Sequence, residues 1–252
     1  FFEHLLATPR QLWPYQPFCF RSLVLLFLFC TFVPQSFHQE KVLMEAFQYA
    51  KNNQKNVHFL GLLSDGGVHS HINHLKGLVD ASESFGLNNV FIHAFTDGRD
   101  VDPKSGLGFI QDILHYTEKT SVKLASVVGR YYAMDRDKRW ERIKLAYDLV
   151  VNGLGEISQD VIKSIQQSYN NEVTDEFIKP IVVADENLRP IATIAEGDVV
   201  VFFNFRTDRG RELTEALSQQ DFPEYNMHKM DLYYVTMTNY DDTFRNVHVI
   251  YD

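Results

Sequence analysis

The chain has 252 residues and a mass of 29.3 kDa, and its 45% apolar content is enough for a sizeable core, which excludes disorder as the main state. A net charge of −9 and a pI near 5.5 exclude the overall basic field that supplies non-specific nucleic-acid affinity. Any anion site must therefore be local. The two cysteines, Cys19 and Cys30, precede residue 38, so the rest of the chain has no disulfide, thiolate nucleophile or zinc–cysteine site, which suits a reducing cytoplasm.

Residues 1–37 differ in composition from the rest of the chain. The sequence opens with Phe1 rather than Met and closes at Asp252 directly after a strand-like alternation, so we expect a fragment at both ends. The apolar run 22–33 has about 12 residues, whereas a membrane-spanning helix needs about 20. A signal-peptide core could be this short, but neither an initiator Met nor a small-residue cleavage site is evident. We therefore interpret residues 1–37 as a stretch foreign to the domain that follows, such as a gene-model error.

From His38 onward, predicted helices and strands alternate. Apolar residues at i, i+3, i+4 and i+7 from Leu43 predict a helix that is buried on one face. Further helices are predicted over 71–85, 105–119, 137–152 and 211–218, and strands over 56–63, 89–96, 122–128, 198–205 and 231–238. Between Gly153 and Gly197, short β-rich pieces such as 177–183 predict hairpins or an excursion from the main sheet. We expect an α/β fold with a mostly parallel sheet, helices on both faces and a small β-hairpin excursion.

Polar segments follow four of the predicted strands. In open α/β sheets, ligands bind beyond the carboxyl ends of the strands. The four segments are SDGGVH at 64–69, DGRD at 97–100, GRYYAMDR at 129–136 and RTDR at 206–209. They should bring five arginines and one histidine to one edge of the sheet, namely Arg99, Arg130, Arg136, Arg206, Arg209 and His69.

Several arginines at one cleft indicate an anionic ligand with more than one acidic group, because the guanidinium fork matches phosphate and carboxylate oxygens. A helix predicted to start near Thr207 would add free backbone N–H groups. A small phosphorylated acid would satisfy both kinds of donor. The alternative is that arginines flanked by Asp, as at 97–100 and 135–137, form loop ion pairs, but five arginines in such loops favour a ligand. Base stacking on Tyr131 and Tyr132 is disfavoured by the acidic remainder of the chain.

Other polar residues have simpler interpretations. The spacing of His69, His71 and His74 could hold a metal, but no cysteine or acidic partner stands at a recognisable distance. Ser64 resembles a nucleophile on a turn, yet no G-x-S-x-G elbow surrounds it, so turn formation is favoured. His93 lies within an apolar strand pattern and is predicted to be a hydrogen-bonded core histidine.

Four longer segments together resemble a known family. They are LLSDGGVHSHINHL at 62–75, FTDGRDVDP at 95–103, GRYYAMDRDKRWER at 129–142 and FNFRTDRGREL at 203–213. They are similar to the signature segments of the 2,3-bisphosphoglycerate-independent, or cofactor-independent, phosphoglycerate mutases. The resemblance covers residues 38–252 and does not extend to 1–37. That family interconverts 3-phosphoglycerate and 2-phosphoglycerate in glycolysis and gluconeogenesis.

The resemblance also implies an architecture. An alkaline-phosphatase-like domain of the family carries a serine nucleophile and two metal ions, usually Mn²⁺, and an inserted domain holds the glycerate. Residues 38–252 resemble this inserted substrate-binding domain.

By motif position, the resemblance implies catalytic roles for three residues. His69 would contact the substrate and assist proton transfer at its hydroxyl. Arg206 and Arg209 would bind the phosphate as it passes between the serine and the substrate.

The resemblance implies substrate binding at four further positions. Arg99 and Asp100 would bind the hydroxyl and carboxylate region of glycerate, and Arg130 and Arg136 its carboxylate. Retaining glycerate while the phosphate resides on serine keeps a mutase from acting as a phosphatase.

The departures from the family pattern carry their own expectations. No segment could be the serine nucleophile, the Asp and His metal ligands or the active-site lysine, so we expect no metal site in this chain and no turnover by it alone. The expected partners are the phosphoglycerates and the missing phosphatase-like domain, with no nucleic acid or membrane, in the cytoplasm. The alternatives are a non-catalytic module that binds phospho-acids and, less favoured, a protein anchored in a membrane by residues 22–33.

Overall fold

The computed structural model describes residues 37–251. Cys19, Cys30 and the apolar run 22–33 lie outside the described residues, and so do the interpretations placed on them. Phe37, the first described residue, is fully buried, and its ring packs against those of His74 and Tyr251.

Strands and helices alternate along the described chain, as the sequence predicts. The strands are β1 (Val57–Leu63), β2 (Val90–Thr96), β3 (Val122–Gly129), β4 (Glu156–Ser158), β5 (Ile181–Val183), β6 (Val199–Phe202), β7 (Tyr233–Thr236) and β8 (Val247–Val249). The helices are α1 (Lys41–Asn53), α2 (Ile72–Phe85), α3 (Gly106–Thr117), α4 (Arg130–Ala133), α5 (Trp140–Tyr147), α6 (Val161–Asn170) and α7 (Arg211–Ser218). Shorter helical turns lie at Phe37–Gln39, Asp148–Asn152, Asp175–Phe177 and Pro223–Tyr225.

One helix begins later than the sequence predicts. The predicted helix over 137–152 is instead α5, which begins at Trp140 and continues as a π-helical turn over Asp148–Asn152. Lys138 has a φ of +58°, in the left-handed region, so it cannot be part of a right-handed helix. Residues 137–139 therefore form a loop in front of α5.

The strands form one eight-stranded sheet in the order β4-β5-β3-β2-β1-β6-β7-β8. From β3 to β8 every neighbouring pair is parallel. Strand β1 lies in the middle, where Val57 is opposite both Val90 of β2 and Val199 of β6, and all of its residues are buried. A strand covered on both faces is mostly apolar, which explains the apolar residues that surround His58 in this segment.

The β-rich region between Gly153 and Gly197 supplies one edge of this same sheet. Strand β5 pairs antiparallel with β3, and β4 pairs parallel with β5. A single antiparallel bridge joins Ala184 to Pro190 across a turn. The expected excursion thus forms the antiparallel edge of an otherwise parallel sheet.

Each face of the sheet has its own apolar core. Phe59 and Val201 belong to the core covered by α1, α2, α3 and α6. Leu60 and Phe202 belong to the core covered by α4, α5 and α7. Helices therefore lie on both faces, as predicted. Among the described residues, no helix is both long enough and apolar enough to cross a membrane.

Candidate anion-binding site

A cavity of about 250 Å³ lies beside the loops that follow β2 and β3. Six arginines line it, which are Arg99, Arg130, Arg136, Arg139, Arg142 and Arg209. Four of these are predicted from the sequence, and Arg139 and Arg142 are not. The concentration of guanidinium groups is the main chemical feature of the site, because the chain as a whole is acidic.

Arg130 lies at the buried base of the cavity, at the first position of α4. Its Nη1 donates to Asp97 Oδ1 at 2.6 Å and to Asp100 Oδ2. Asp97 Oδ1 also accepts the backbone N–H groups of Arg99 and Asp100, at 3.2 and 3.0 Å. Burial acts to raise the pKa of Asp97, but hydrogen bonds from the Asp100 N–H, Ser64 and Arg130 have the larger, opposite effect. The pKa is lowered overall, so the carboxylate stays ionised. The loop 97–100 is thus fastened to Arg130.

His69 is buried next to this group of charges. Its Nε2 lies 3.7 Å from Asp100 Oδ2 and its Nδ1 3.9 Å from Asp208 Oδ1. Burial, with the positive charges of Arg130 and Arg206, lowers its pKa to about 4 against the opposite effect of the two aspartates. His69 is therefore neutral near pH 7, and a neutral imidazole can accept a proton from a hydroxyl.

Arg206 and Arg136 share one carboxylate, that of Asp208. Arg206 donates to it through Nε and Nη2 at 2.8 and 3.1 Å, and Arg136 through Nη1 at 3.2 Å. Both guanidinium groups are about half exposed. Arg136 pairs with Asp208 of another loop and not with its neighbours at 135 and 137, so the ion pairs connect the loops to one another.

The remaining two predicted arginines differ in their partners. Arg99 Nη1 lies 3.4 Å from Glu176 Oε1, in an exposed pair. Arg209 donates to the backbone carbonyl of Met134 at 3.0 Å and forms no ion pair with any residue of the described range 37–251. Its pKa is lowered by burial and by the charges of Arg130 and other arginines nearby. The charge of Asp208 opposes this decrease. The other five arginines of the cavity lie within 4 Å of a carboxylate of the described range, so Arg209 differs from them in having no such contact.

Two glycines allow the turn Asp175–Phe177 to approach the cavity. At Gly129, a Cβ atom would lie 2.3 Å from the carbonyl oxygen of Glu176, so only glycine fits there. Gly98 has a φ of +65°, and a Cβ atom on it would lie 2.8 Å from Asp175 Cβ. These contacts place Glu176 and Phe177 in the cavity wall.

The predicted helix start near Thr207 is wrong. Helix α7 begins at Arg211 after Gly210, and residues 206–209 form a turn held by the contacts of their own side chains. A Cβ atom on Gly210 would lie 2.5 Å from the Tyr240 ring, so the chain passes close to that ring before the helix begins. Arginine side chains, and not a helix N-terminus at Thr207, supply the donors of this loop.

Arg139 and Arg142 are the site residues that the sequence analysis misses. Arg142 Cζ lies 3.8 Å from the centre of the Tyr131 ring, and its Nη1 lies 3.2 Å from Asp135 Oδ1. Arg139 pairs only distantly, at 3.9 Å, with Asp137. Both arginines lie in the segment 129–142, beyond the polar loop 129–136 that directly follows β3.

The other histidines and Ser64 have structural roles. His93 bonds to His58 Nδ1 at 3.0 Å and to Ser126 Oγ at 2.7 Å, which confirms a hydrogen-bonded core histidine. His71 caps α2 by accepting the N–H of Asn73, and His74 packs among aromatic rings. Ser64 Oγ accepts the N–H of Gly66 at 3.1 Å, as expected of a turn residue.

The described residues do not fit a catalytic metal. Within 37–251, no three or more His, Cys, Asp or Glu side chains are grouped so that they could hold an ion. The carboxylates of the site are instead paired with arginines, as in the contacts of Asp97, Asp100 and Asp208.

Fold and site together define an α/β domain with an arginine-lined cavity beside the loops that follow β2 and β3. Residues 32–242 match the family model described as the BPG-independent PGAM N-terminus. The chain therefore belongs to the family of 2,3-bisphosphoglycerate-independent phosphoglycerate mutases.

Similar proteins support this membership. The phosphoglycerate mutases of that name from Flavobacterium psychrophilum and Bacteroides thetaiotaomicron are 71% and 55% identical to the chain over 214 and 215 residues, each covering 85% of it. The chain spans 42% of the length of each of these relatives. A crystal structure of Leishmania mexicana phosphoglycerate mutase at low cobalt concentration matches with a TM-score of 0.77 and 28% identity, over 82% of this chain and 40% of that one.

Proposed function

We propose that residues 38–252 form the substrate-binding domain of a cofactor-independent phosphoglycerate mutase, which interconverts 3-phosphoglycerate and 2-phosphoglycerate in cytoplasmic glycolysis and gluconeogenesis. The observation that carries this proposal is that Arg209, in a cavity lined by six arginines, has no carboxylate within ion-pair distance among residues 37–251. Phosphoglycerate bears a phosphate and a carboxylate, and both groups match the donors of arginine side chains.

The arginines divide into fixed and available donors. Arg130 is held by two carboxylates and defines the base of the site, where it binds the substrate carboxylate together with Arg136. Arg99 and Asp100 bind the hydroxyl and carboxylate region of glycerate. Because Arg99 and Arg136 are paired only to partly exposed carboxylates, a ligand anion can replace those partners at a small cost.

Arg206 and Arg209 bind the transferring phosphate. Arg209 is already without a carboxylate partner among residues 37–251. The planar fork of Arg206 is paired with the partly exposed Asp208 of the same turn, and a ligand phosphate would replace that partner. Phosphoryl transfer depends mostly on positioning and on neutralising the charge of the transferring group. A pair of arginines three positions apart on one turn can supply both effects.

His69 accepts and returns the proton of the glycerate hydroxyl. Its low pKa keeps the imidazole neutral, and it lies between Asp100 and Asp208, next to the proposed glycerate and phosphate contacts. When a hydroxyl attacks the phosphoryl group, it must lose its proton, and a neutral imidazole within reach can take it.

The serine nucleophile and two Mn²⁺ ions belong, in this proposal, to a phosphatase-like partner domain. The described residues offer no ligand set for such ions. Phosphoglycerate and this partner domain are thus the proposed partners, without nucleic acid or membrane.

Calorimetric titration with 3-phosphoglycerate tests the binding role. We expect the chain to bind the ligand weakly and Arg206→Ala to abolish measurable binding, because losing one charge-assisted contact costs about 1.5–3 kcal/mol. Arg189→Ala is the matched control, since Arg189 is an exposed arginine outside the cavity lining. Unchanged affinity in Arg206→Ala would refute the assignment of Arg206 to the phosphate.

A non-catalytic module that binds phospho-acids is the second candidate, favoured by an arginine site without a metal ligand set in the described residues. It predicts the same titration. The two candidates differ in turnover: a mutase domain should restore activity when combined with a phosphatase-like domain of a relative and Mn²⁺, and a pure binding module should not.

A further inference from the structure

Two buried carboxyl groups face each other beneath the loop that carries Arg136 and Arg139. Asp135 is 4% exposed and Glu212, in the first turn of α7, is 5% exposed. Each accepts backbone N–H groups from the same three-residue stretch, 137–139, so the two carboxyl groups lie close together. Neither residue is among the proposed substrate ligands.

These two side chains hold the loop through three consecutive backbone amides. Asp135 Oδ2 accepts the N–H groups of Asp137 and Arg139 at 2.9 and 3.0 Å. Glu212 Oε1 accepts the N–H of Lys138 at 2.8 Å. Lys138 has the left-handed φ of +58°, a conformation that a residue with a side chain keeps only when its surroundings enforce it. Without these contacts the loop would relax.

The second oxygen of Glu212 identifies where a proton must be. Glu212 Oε2 is fully buried and accepts no hydrogen bond from any residue in the range 37–251. Two ionised carboxylates in contact would repel each other, whereas one shared proton gives a hydrogen bond. Asp135 also faces the guanidinium of Arg142 at 3.2 Å, which favours its ionised form. The proton therefore belongs to Glu212.

We propose that Glu212 is a positioning residue for phosphoglycerate binding: as a neutral acid it donates its proton to Asp135 and so fixes the loop that presents Arg136 and Arg139 at the cavity. The inference rests on the proposed function for its ligand. It assigns a protonation state and a task to a side chain that does not touch the substrate.

The charged groups around Glu212 agree with this assignment. Burial raises the pKa of Glu212 to about 7, the negative charges of Asp135 and Glu215 act in the same direction, and the Lys138 N–H opposes them. Burial also acts to raise the pKa of Asp135, but the N–H groups of the loop and the charge of Arg142 have the larger, opposite effect, so this pKa is lowered overall. Glu212 is thus protonated below about pH 7 and ionised above it. Raising the pH through 7 should place two negative charges together and loosen the loop.

The test compares the wild-type chain with Glu212→Gln across pH 6 to 8.5, by calorimetric titration with 3-phosphoglycerate. Glutamine can donate to Asp135 and accept from Lys138 but cannot ionise, so it should keep the affinity at high pH. Titration of the ligand phosphate affects both proteins equally and cancels in the ratio of their dissociation constants. We expect the dissociation constant of the wild type, divided by that of Glu212→Gln, to rise by about tenfold from pH 6 to pH 8.5. A tenfold change is what a difference of one unit between the pKa of Glu212 in the free and in the bound protein produces.

Two further variants separate positioning from general stability. Glu212→Ala should bind weakly at every pH, and the rescue by glutamine shows that the hydrogen bonds matter rather than the charge. Glu215→Gln, on the same helix, should keep the pH-dependent loss of affinity. If the ratio of the wild-type and Glu212→Gln dissociation constants does not change between pH 6 and pH 8.5, the proposal is overturned.

Carbon-13 NMR of labelled glutamate carboxyls provides a readout that needs no ligand. The signal that vanishes in Glu212→Gln should titrate near pH 7, and a midpoint near 4.5 would overturn the proposal. If the chain binds no phosphoglycerate at any pH, the proposed function fails, while this titration still decides whether Glu212 holds the proton.

Discussion

Two networks of polar side chains cross neighbouring strands of this sheet, one in its interior and one at its edge. In the interior, His58 Nδ1 lies 3.0 Å from His93 Nε2, and His58 Nε2 lies 3.2 Å from Asp198 Oδ2. Ser126 closes the network at the other end, 2.7 Å from His93 Nδ1. All four residues are buried, and the acceptors and donors match one another within the protein.

The network at the edge is built from stronger charges but is not closed. Arg130 is matched by two carboxylates, whereas Arg209 has no carboxylate partner in the described range and Arg206 is partly exposed. A closed network stabilises one arrangement of the strands, and an open network of the same kinds of group keeps binding capacity for a ligand. Incomplete pairing, more than charge itself, thus distinguishes the proposed binding site from the interior network.

The largest effect should come from Arg130, which belongs to both stability and binding. Arg130→Met leaves Asp97 buried without its cation, so we expect the free energy of unfolding to fall by about 3–5 kcal/mol. Affinity for 3-phosphoglycerate should be lost as well. Urea denaturation measures the first effect, with Lys123→Met on the exposed part of β3 as control. A stability loss below about 1 kcal/mol would show that the edge network does not support the fold.

Breaking the interior network should affect stability alone. Asp198→Ala removes the acceptor of His58 and of the backbone N–H groups of Asn56 and Ala195. We expect a loss of about 3 kcal/mol in the free energy of unfolding, because buried donors are left without a partner. The dissociation constant for 3-phosphoglycerate, measured where the protein is folded, should change less than about twofold, since additivity holds for distant sites. A large change in affinity would show that the two networks are coupled.

The smallest of the three effects concerns pH. Because the pKa of His69 is lowered to about 4 in the folded chain, the unfolded chain binds more protons below pH 6.5. Stability from this residue is complete above that pH and is lost progressively toward pH 4. From pH 7 to pH 5, the free energy of unfolding of the wild type should fall by about 2 kcal/mol more than that of His69→Gln. Identical slopes in both proteins would argue against a buried neutral His69.

Much of this molecule follows from local patterns in the sequence. Continuous apolar runs such as 56–63 predict the parallel strands, and polar segments directly after them predict the arginines at the edge. The position of β4 and β5 does not follow, because pairing with β3 is decided by contacts far apart in the chain. The role of Glu212 does not follow from the sequence either, since its chemistry depends on Asp135, which lies 77 positions earlier in the chain. Local periodicity reveals elements, whereas partners across loops emerge only from packing.

The central position of β1 also has a consequence for the order in which the chain folds. The hydrogen bond from Asn56 N to Asp198 Oδ1 joins residues 142 positions apart, at the point where β6 pairs with β1. Such non-local pairing is slow, and on the ribosome it must wait for the later half of the chain. The turn with Arg206 and Arg209 follows β6 directly. Until β6 pairs with β1, this turn cannot come to lie beside His69, so competence for phosphate binding should appear only after that pairing has formed.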